Sequence, residues 1–123
     1  MVLDSNIIIY AAQPEHHTLR KLIFEHSPAV SVISYIEVLG YHSLEEAERR
    51  LLEQFFRVAE VIPLSDAIAA QAVRLRQQRR MSLGDSIVAA TAIEHGKRLV
   101  THNAKDFEWV EGLVVHDPLP SDT

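Results

Sequence analysis

The alternation of short β-branched strands with longer helical segments constrains this fold more than any other feature of the sequence. Five short apolar stretches are predicted as strands: 1–4, 29–32, 58–62, 98–101 and 112–115. Segments with helical spacing separate them: about 15–26, 44–57, a segment that starts after Ser65, and Leu83 to His95. Strands connected through helices pair in parallel and are covered on both faces. The sequence therefore predicts an α/β sandwich around a parallel sheet.

The helical segments carry recognisable end signals. Ser65 is predicted to cap the N-terminus of its helix, and Gly96 to end the helix that starts at Leu83. Gly40 is predicted to end the segment after the second strand. Residues 44–57 have one apolar face and one charged face, the latter with two i,i+4 pairs, Glu45/Arg49 and Glu46/Arg50.

Length and composition limit the class of protein. The 123 residues show no repeat and no low-complexity linker, so we expect a single domain over residues 1–123. The absence of Cys excludes a disulfide framework, a zinc knuckle and a thiol nucleophile. The longest apolar run without a charge, within 27–36, is too short to span a membrane, and no secretory signal is expected. We expect a cytoplasmic protein with no membrane partner.

The net charge of −5 argues mildly against a protein that binds nucleic acid through phosphate contacts alone. It does not exclude an enzyme that holds a nucleic acid through metal ions and a local basic patch.

Four acidic residues lie where the predicted elements meet. Asp4 ends the first strand, Glu37 follows the second, and Asp106 follows the fourth. Asp85 opens the apolar helix that leads into the fourth strand. Because ligands of parallel α/β sheets bind at the carboxyl ends of the strands, these acids are expected at one edge of the sheet.

Helix capping is the simpler explanation for each acid taken alone. Asp4 is placed to cap a following helix, and three capping-box patterns occur: Ser34/Glu37, Ser82/Asp85 and Asn103/Asp106. Both explanations stay open for any single residue. Four acids at one edge, however, would repel one another strongly unless a cation neutralised them.

The chemistry of these side chains indicates which cation. Carboxylate and amide oxygens without Cys suit Mg²⁺ or Mn²⁺ rather than zinc. Such ions complete their shells with water and substrate phosphate, and the matching chemistry is phosphodiester hydrolysis.

Four sequence blocks resemble the signature blocks of PIN-domain ribonucleases, and most closely those of VapC toxins from bacterial type II toxin–antitoxin systems. The blocks are Val2–Asn6, Ser34–Gly40, Leu83–Ala92 and Leu99–Phe107. They occur in the family's order and spacing and cover nearly the whole chain. The resemblance implies a single PIN domain over 1–123, a three-layer α/β sandwich with a central five-stranded parallel sheet flanked by helices.

The resemblance also implies a Mg²⁺- or Mn²⁺-dependent endoribonuclease that leaves 5′-phosphate and 3′-hydroxyl ends. Asp4, Glu37 and Asp85 match the three best-kept metal-binding acids of the family. The fourth position is variable in the family, and here Asn103 and Asp106 are both available, with Asp106 preferred as the charged one.

Further implications concern supporting residues and partners. Asn6 and Thr101 match supporting polar positions, whereas Ser82 stands where the family often has a basic residue. Arg79 or Arg80 is therefore a candidate for contacting the substrate phosphate. The implied partners are an RNA substrate, a cognate VapB-like antitoxin and a second copy of the chain.

Alternative functions and structural roles remain at this stage. The fold could serve as a catalytically silent interaction module, as a DNA-directed nuclease, or as a phosphoacceptor receiver domain. The Arg79–Arg80 pair is explained as well by the helix dipole as by an RNA-contacting patch. Trp109 is expected in the core rather than as a platform for bases.

Overall fold

The computed structural model describes residues 1–119, which form a five-stranded sheet with parallel pairing throughout. The strands are β1 (Val2–Leu3), β2 (Ala29–Ser31), β3 (Glu60–Ile62), β4 (Leu99–Val100) and β5 (Val115–His116). Their order is β3-β2-β1-β4-β5, so the order reverses between β1 and β4. A reversal of this kind opens a crevice at the carboxyl ends of the two strands. The order also differs from the 2-1-3-4-5 order of receiver domains, and this excludes the receiver alternative.

Six helices and two short 3₁₀ turns connect the strands. The helices are α1 (Ser5–Ala11), α2 (His17–Glu25), α3 (Val32–Leu39), α4 (Glu46–Val58), α5 (Asp66–Gln78) and α6 (Leu83–Glu94), and the turns are Pro14–His16 and Ala104–Asp106. Ser65 caps α5 as predicted, with its side chain accepting a hydrogen bond from Ile68 N at 3.1 Å. Gly96 follows α6 with a φ of +60°, a conformation that glycine adopts without strain.

The sheet lies between two apolar layers because neighbouring residues of a strand point to opposite faces. Val2 of β1 packs in the cluster that includes the buried faces of α5 and α6. Leu3, the next residue, packs in the cluster that includes α1, α2 and α4. The same division separates Leu99 from Val100 in β4. The predicted three-layer α/β sandwich is therefore confirmed.

Some details differ from the sequence expectation. The fifth strand is Val115–His116 rather than 112–115, because Gly112 adopts a φ of +82° in the turn before it. The pair Glu46–Arg50 forms at 3.2 Å, but the Glu45–Arg49 pair does not, since Glu45 lies before the first turn of α4. Among residues 1–119, no helix combines the length and apolar character needed to cross a bilayer. The polar segment 117–123, which the sequence predicts to fray, lies partly outside the described residues.

Candidate active site

Asp4 lies at the reversal of strand order, directly after β1. Its backbone N–H continues the parallel ladder by donating to Val100 O at 2.9 Å. Its carboxylate accepts two hydrogen bonds of 2.8 Å, one from Ser5 N at Oδ1 and one from Thr101 Oγ1 at Oδ2. Asp4 thus caps α1, as the simpler explanation predicted, and at the same time contacts β4. Asp4 is only 6% exposed, so its carboxylate is held in one position beside the crevice.

Glu37 reaches the same edge from the outer side of α3. Its Oε1 accepts a hydrogen bond from Ser5 Oγ at 3.1 Å. Its carboxylate also lies against the first turn of α6, where a Cβ added to Gly84 would be 3.2 Å from Oε2. The glycine therefore leaves the space that the Glu37 carboxylate occupies between α1 and α6.

Asp85 lies in the first turn of α6 and is half-buried. Its backbone N–H donates to Ser82 Oγ at 3.0 Å, so Ser82 is the N-cap of the helix. The Ser82 half of the expected capping box is thereby confirmed. Asp85 lines the same cleft as Asp106, and it lies near enough to Asp4 and Asp106 for their charges to raise its pKa.

Asp106 ends the 3₁₀ turn that follows β4. Its carboxylate is exposed and, together with Asp85, lines a cleft of 290 Å³. The expected Asn103/Asp106 capping box is wrong, since Asn103 makes no side-chain capping bond to this turn. The backbone N–H of Asn103 instead donates to Thr101 Oγ1 at 3.0 Å.

Burial and the charges of neighbouring acids act on Asp4 and Asp85, which we call the inner acids. Burial raises the pKa of Asp4 above its usual value; hydrogen bonds from Thr101 and Ser5 lower it in part, and the Glu37 and Asp106 charges raise it further. Burial likewise raises the pKa of Asp85, and the charges of Asp4 and Asp106 add to the effect, against the hydrogen bond to Ser82. Burial is thus the larger cause of both shifts, and the neighbouring carboxylates add to it.

Two further polar residues support this edge. Thr101 is fully buried and joins Asp4 to Asn103, because its hydroxyl donates to the first and accepts from the backbone of the second. Asn6 Oδ1 accepts from His102 N at 3.4 Å and so ties α1 to the segment after β4. The sequence-predicted supporting residues thus connect the elements that carry Asp4 and Asp106.

The donor chemistry of this edge fits a hard divalent cation. Within residues 1–119 the ion pairs are Glu46–Arg50 and His102–Asp117, so none of the four acids is neutralised by a basic side chain. The same residues contain no group of three acidic or histidine side chains close enough to enclose a metal ion by themselves. Mg²⁺ keeps several water ligands and binds through one or two carboxylates, so the side chains present would fit such an ion without enclosing it.

Three aspects of the site differ from the sequence analysis or were missed by it. The Ser34/Glu37 capping box is wrong, because α3 begins at Val32 and its cap is Ser31, which accepts from Ile33 N at 3.2 Å. Ser5 and Gly84 position Glu37, yet neither was assigned a role. For Gly84 the sequence did contain a signal, because this glycine stands next to Asp85 in the first turn of a predicted helix.

Comparisons with known proteins agree with this architecture. The family model of the PIN domain matches residues 1–113. Ribonuclease VapC10 of Mycobacterium tuberculosis is 33% identical over 90 residues, and the match covers 69% of this chain and 66% of that protein, slightly less than two thirds. A toxin–antitoxin complex from Klebsiella pneumoniae contains a chain with a TM-score of 0.74 and 28% identity, covering 96% of this chain and 97% of that one. DNA-bound VapBC from Salmonella typhimurium shares the fold, with a TM-score of 0.80, 21% identity and coverage of 94% and 96%. From the match over residues 1–113, this chain belongs to the PIN-domain family.

Proposed function

We propose that this chain is a divalent-metal-dependent endoribonuclease and the toxin of a type II toxin–antitoxin pair. The observation that carries the proposal is that the charges of Glu37 and Asp106 act on Asp4, and those of Asp4 and Asp106 act on Asp85, while no basic side chain among residues 1–119 pairs with any of the four. The names of the relatives support it, since VapC10 is named a ribonuclease and the Klebsiella structure is described as a toxin–antitoxin complex.

The four acids take different parts in this proposal. Asp4 and Asp85, the two whose pKa is raised, would hold the cation. Glu37 and Asp106 would complete the set, and we call these four carboxylates the acidic edge. Asp106 is preferred over Asn103 because its charge acts on both inner acids, whereas Asn103 contributes a backbone contact. Bound Mg²⁺ or Mn²⁺ would supply the positive charge that stabilises the reacting phosphate and activates the attacking water.

The residues of the chain orient this chemistry. Thr101 and Ser5 hold the Asp4 carboxylate in one orientation, and Ser5 also holds Glu37. Because water attacks rather than the 2′-hydroxyl of the RNA, the products have 5′-phosphate and 3′-hydroxyl ends. No histidine is required as a base; His102, the nearest in sequence to the site, has its Nδ1 3.1 Å from Asp117.

The proposed partner is an antitoxin whose basic segment reaches the acidic edge. The net charge of −5 favours such a segment, since complementary charge accelerates association. We also propose that the protein acts as a homodimer in the cytoplasm and that residues 1–123 form one PIN domain. A catalytically silent module is disfavoured, because unpaired carboxylates at a half-buried edge cost stability and a module without catalysis has no need of them.

Cleavage of total RNA by the purified, antitoxin-free protein tests this function. Wild type is assayed in Mg²⁺ and in EDTA beside Asp85→Asn, with Asp66→Asn as the matched control. Asp66 also lies in the first turn of a helix, but it is exposed and belongs to α5. We expect cleavage only with metal, in wild type and Asp66→Asn. Cleavage that survives both EDTA and Asp85→Asn would refute the proposed site.

A further inference from the structure

A cleft beside the acidic edge shares Asp85 and Asp106 with the proposed cation site, and its other residues have no part in the reaction proposed above. Its volume is 290 Å³, and it is lined by Arg79, Arg80, Met81, Asp85, Lys105, Asp106 and Trp109. We call this space the cationic cleft, because its three cations outnumber its two carboxylates. The volume is near the lower limit of small-molecule sites, about 300 Å³, so the cleft suits a ligand of the size of one nucleotide.

The cations of the cleft are available to a ligand. None of Arg79, Arg80 and Lys105 takes part in the two ion pairs found among residues 1–119. The dipole of α5 accounts for Arg79 and Arg80, which follow its C-terminal end. It does not account for Lys105, which comes from the 3₁₀ turn after β4. Cations from two elements around one cleft, in a chain of net charge −5, indicate an anionic ligand.

The cleft also contains a fixed aromatic surface. The indole Nε1 of Trp109 donates to the backbone oxygen of Asp106 at 3.0 Å, which fixes the ring relative to an acid of the site. The Arg79 guanidinium lies 5.1 Å from the centre of the Trp109 ring. Trp109 is therefore not only a core residue, as the sequence analysis expected, since it packs on the core and also lines the cleft. Aromatic rings and guanidinium planes are the surfaces on which unpaired bases stack.

We propose that the cationic cleft binds the nucleotide next to the scissile phosphate of a single-stranded RNA, a proposal that rests on the ribonuclease function above. Arg80 and Lys105 contact phosphate oxygens, and the base stacks against the Arg79 guanidinium, which lies over the Trp109 ring. A base inside a duplex is already stacked on both sides, so this cleft selects unpaired RNA.

The test is the binding of a short fluorescein-labelled oligoribonucleotide, followed by anisotropy in EDTA, where metal-dependent cleavage cannot occur. Trp109→Leu keeps an apolar side chain on the core and removes the aromatic surface, whereas Trp109→Phe keeps a ring. Far-UV circular dichroism confirms that both variants fold. We expect Trp109→Leu to weaken binding at least about fivefold, which corresponds to about 1 kcal/mol, the lower end of the range for stacking of one base. Trp109→Phe should lose less binding affinity than Trp109→Leu.

The charge contribution is tested with a matched pair of variants. Lys105→Ala should reduce the slope of log K against log salt by about 0.7, the value for one phosphate contact on a single strand. Arg57→Ala is the control, because Arg57 is exposed on α4, which covers the opposite face of the sheet. Its slope should equal that of wild type.

The outcomes separate this proposal from the ribonuclease itself. Loss of binding in Trp109→Leu and Lys105→Ala but not in Arg57→Ala, with weaker binding of the same sequence as a duplex, supports the cleft. No binding by wild type, unchanged binding in both cleft variants, or an equal loss in Arg57→Ala overturns it. A wild type that binds through the cleft but cuts no RNA in Mg²⁺ refutes the ribonuclease instead.

Discussion

Replacing Gly84 with alanine tests the position of the Glu37 carboxylate without destabilising the fold. The new Cβ would lie 3.2 Å from Glu37 Oε2 and 3.4 Å from Oε1, so the carboxylate must withdraw by a few tenths of an ångström. Glu37 is exposed and its side chain is flexible, so this withdrawal costs less free energy of unfolding than a clash with backbone would. It does displace an acid of the proposed site.

The two effects of Gly84→Ala have opposite signs. Alanine in place of a helical glycine restricts the unfolded chain, and we expect a gain of about 0.5 kcal/mol in unfolding free energy. That gain corresponds to a rise of about 2 °C in Tm for a domain of this size. Since a misplacement of about 1 Å in an active site can cost about 100-fold, a shift of a few tenths predicts a loss of about threefold in kcat/KM.

A double-mutant cycle identifies the cause. Urea unfolding is measured for wild type, Gly84→Ala, Glu37→Ala and the double variant. If the new Cβ presses on the Glu37 carboxylate, Gly84→Ala stabilises the Glu37→Ala background more than it stabilises wild type. Additive unfolding free energies, together with full RNA cleavage by Gly84→Ala, would refute the role of this glycine.

Three further predictions concern the buried groups around the site. Thr101→Val removes the hydroxyl that joins Asp4 to Asn103, and urea unfolding should show a loss of about 1–3 kcal/mol in unfolding free energy. The pH–rate profile should also move to higher pH, because the pKa of Asp4 rises without this hydrogen-bond donor. Burial raises the pKa of Asp4 above 3.8, so the wild type gains stability at low pH and loses it as pH rises through the folded pKa. In EDTA at pH 7, Asp4→Asn should therefore unfold at a higher urea concentration than wild type, and the difference should disappear below pH 3.8. Equal urea midpoints at pH 7 would contradict the electrostatic argument. Phe107→Ala should cost about 3–5 kcal/mol in the same assay, because Phe107 is 0% exposed and anchors the segment that carries Asp106; a loss below 1 kcal/mol would contradict this packing.

The sequence pattern was sufficient for features that depend on nearby residues. The alternation of strands and helices predicted the parallel sheet, and the position of Asp4 and Thr101 at strand ends placed both at the same edge. These inferences succeed because side-chain direction in a strand follows from its period of two, and because all parallel strands end at one edge.

Features that depend on contacts distant in sequence could not be predicted in the same way. Ser31 and Ser34 both precede Glu37 at plausible capping positions, and only the pairing of β2 with β3, which ends at Ser31, selects the first. Ser34 is instead inside the helix, where its buried hydroxyl has no partner among the described residues. The contact of Ser5 with Glu37 joins residues 32 positions apart, and no local pattern encodes it.

Binding of Mn²⁺ to the metal-free protein tests most directly whether the acidic edge is a cation site. Titration calorimetry compares wild type with Asp4→Asn and Asp85→Asn, and Asp66→Asn serves as the control with an exposed carboxylate. We predict saturable binding in wild type and Asp66→Asn, and affinity lower by at least about tenfold, or about 1.4 kcal/mol, in the two site variants. Equal binding by all four folded proteins, or no binding by wild type, would contradict the account.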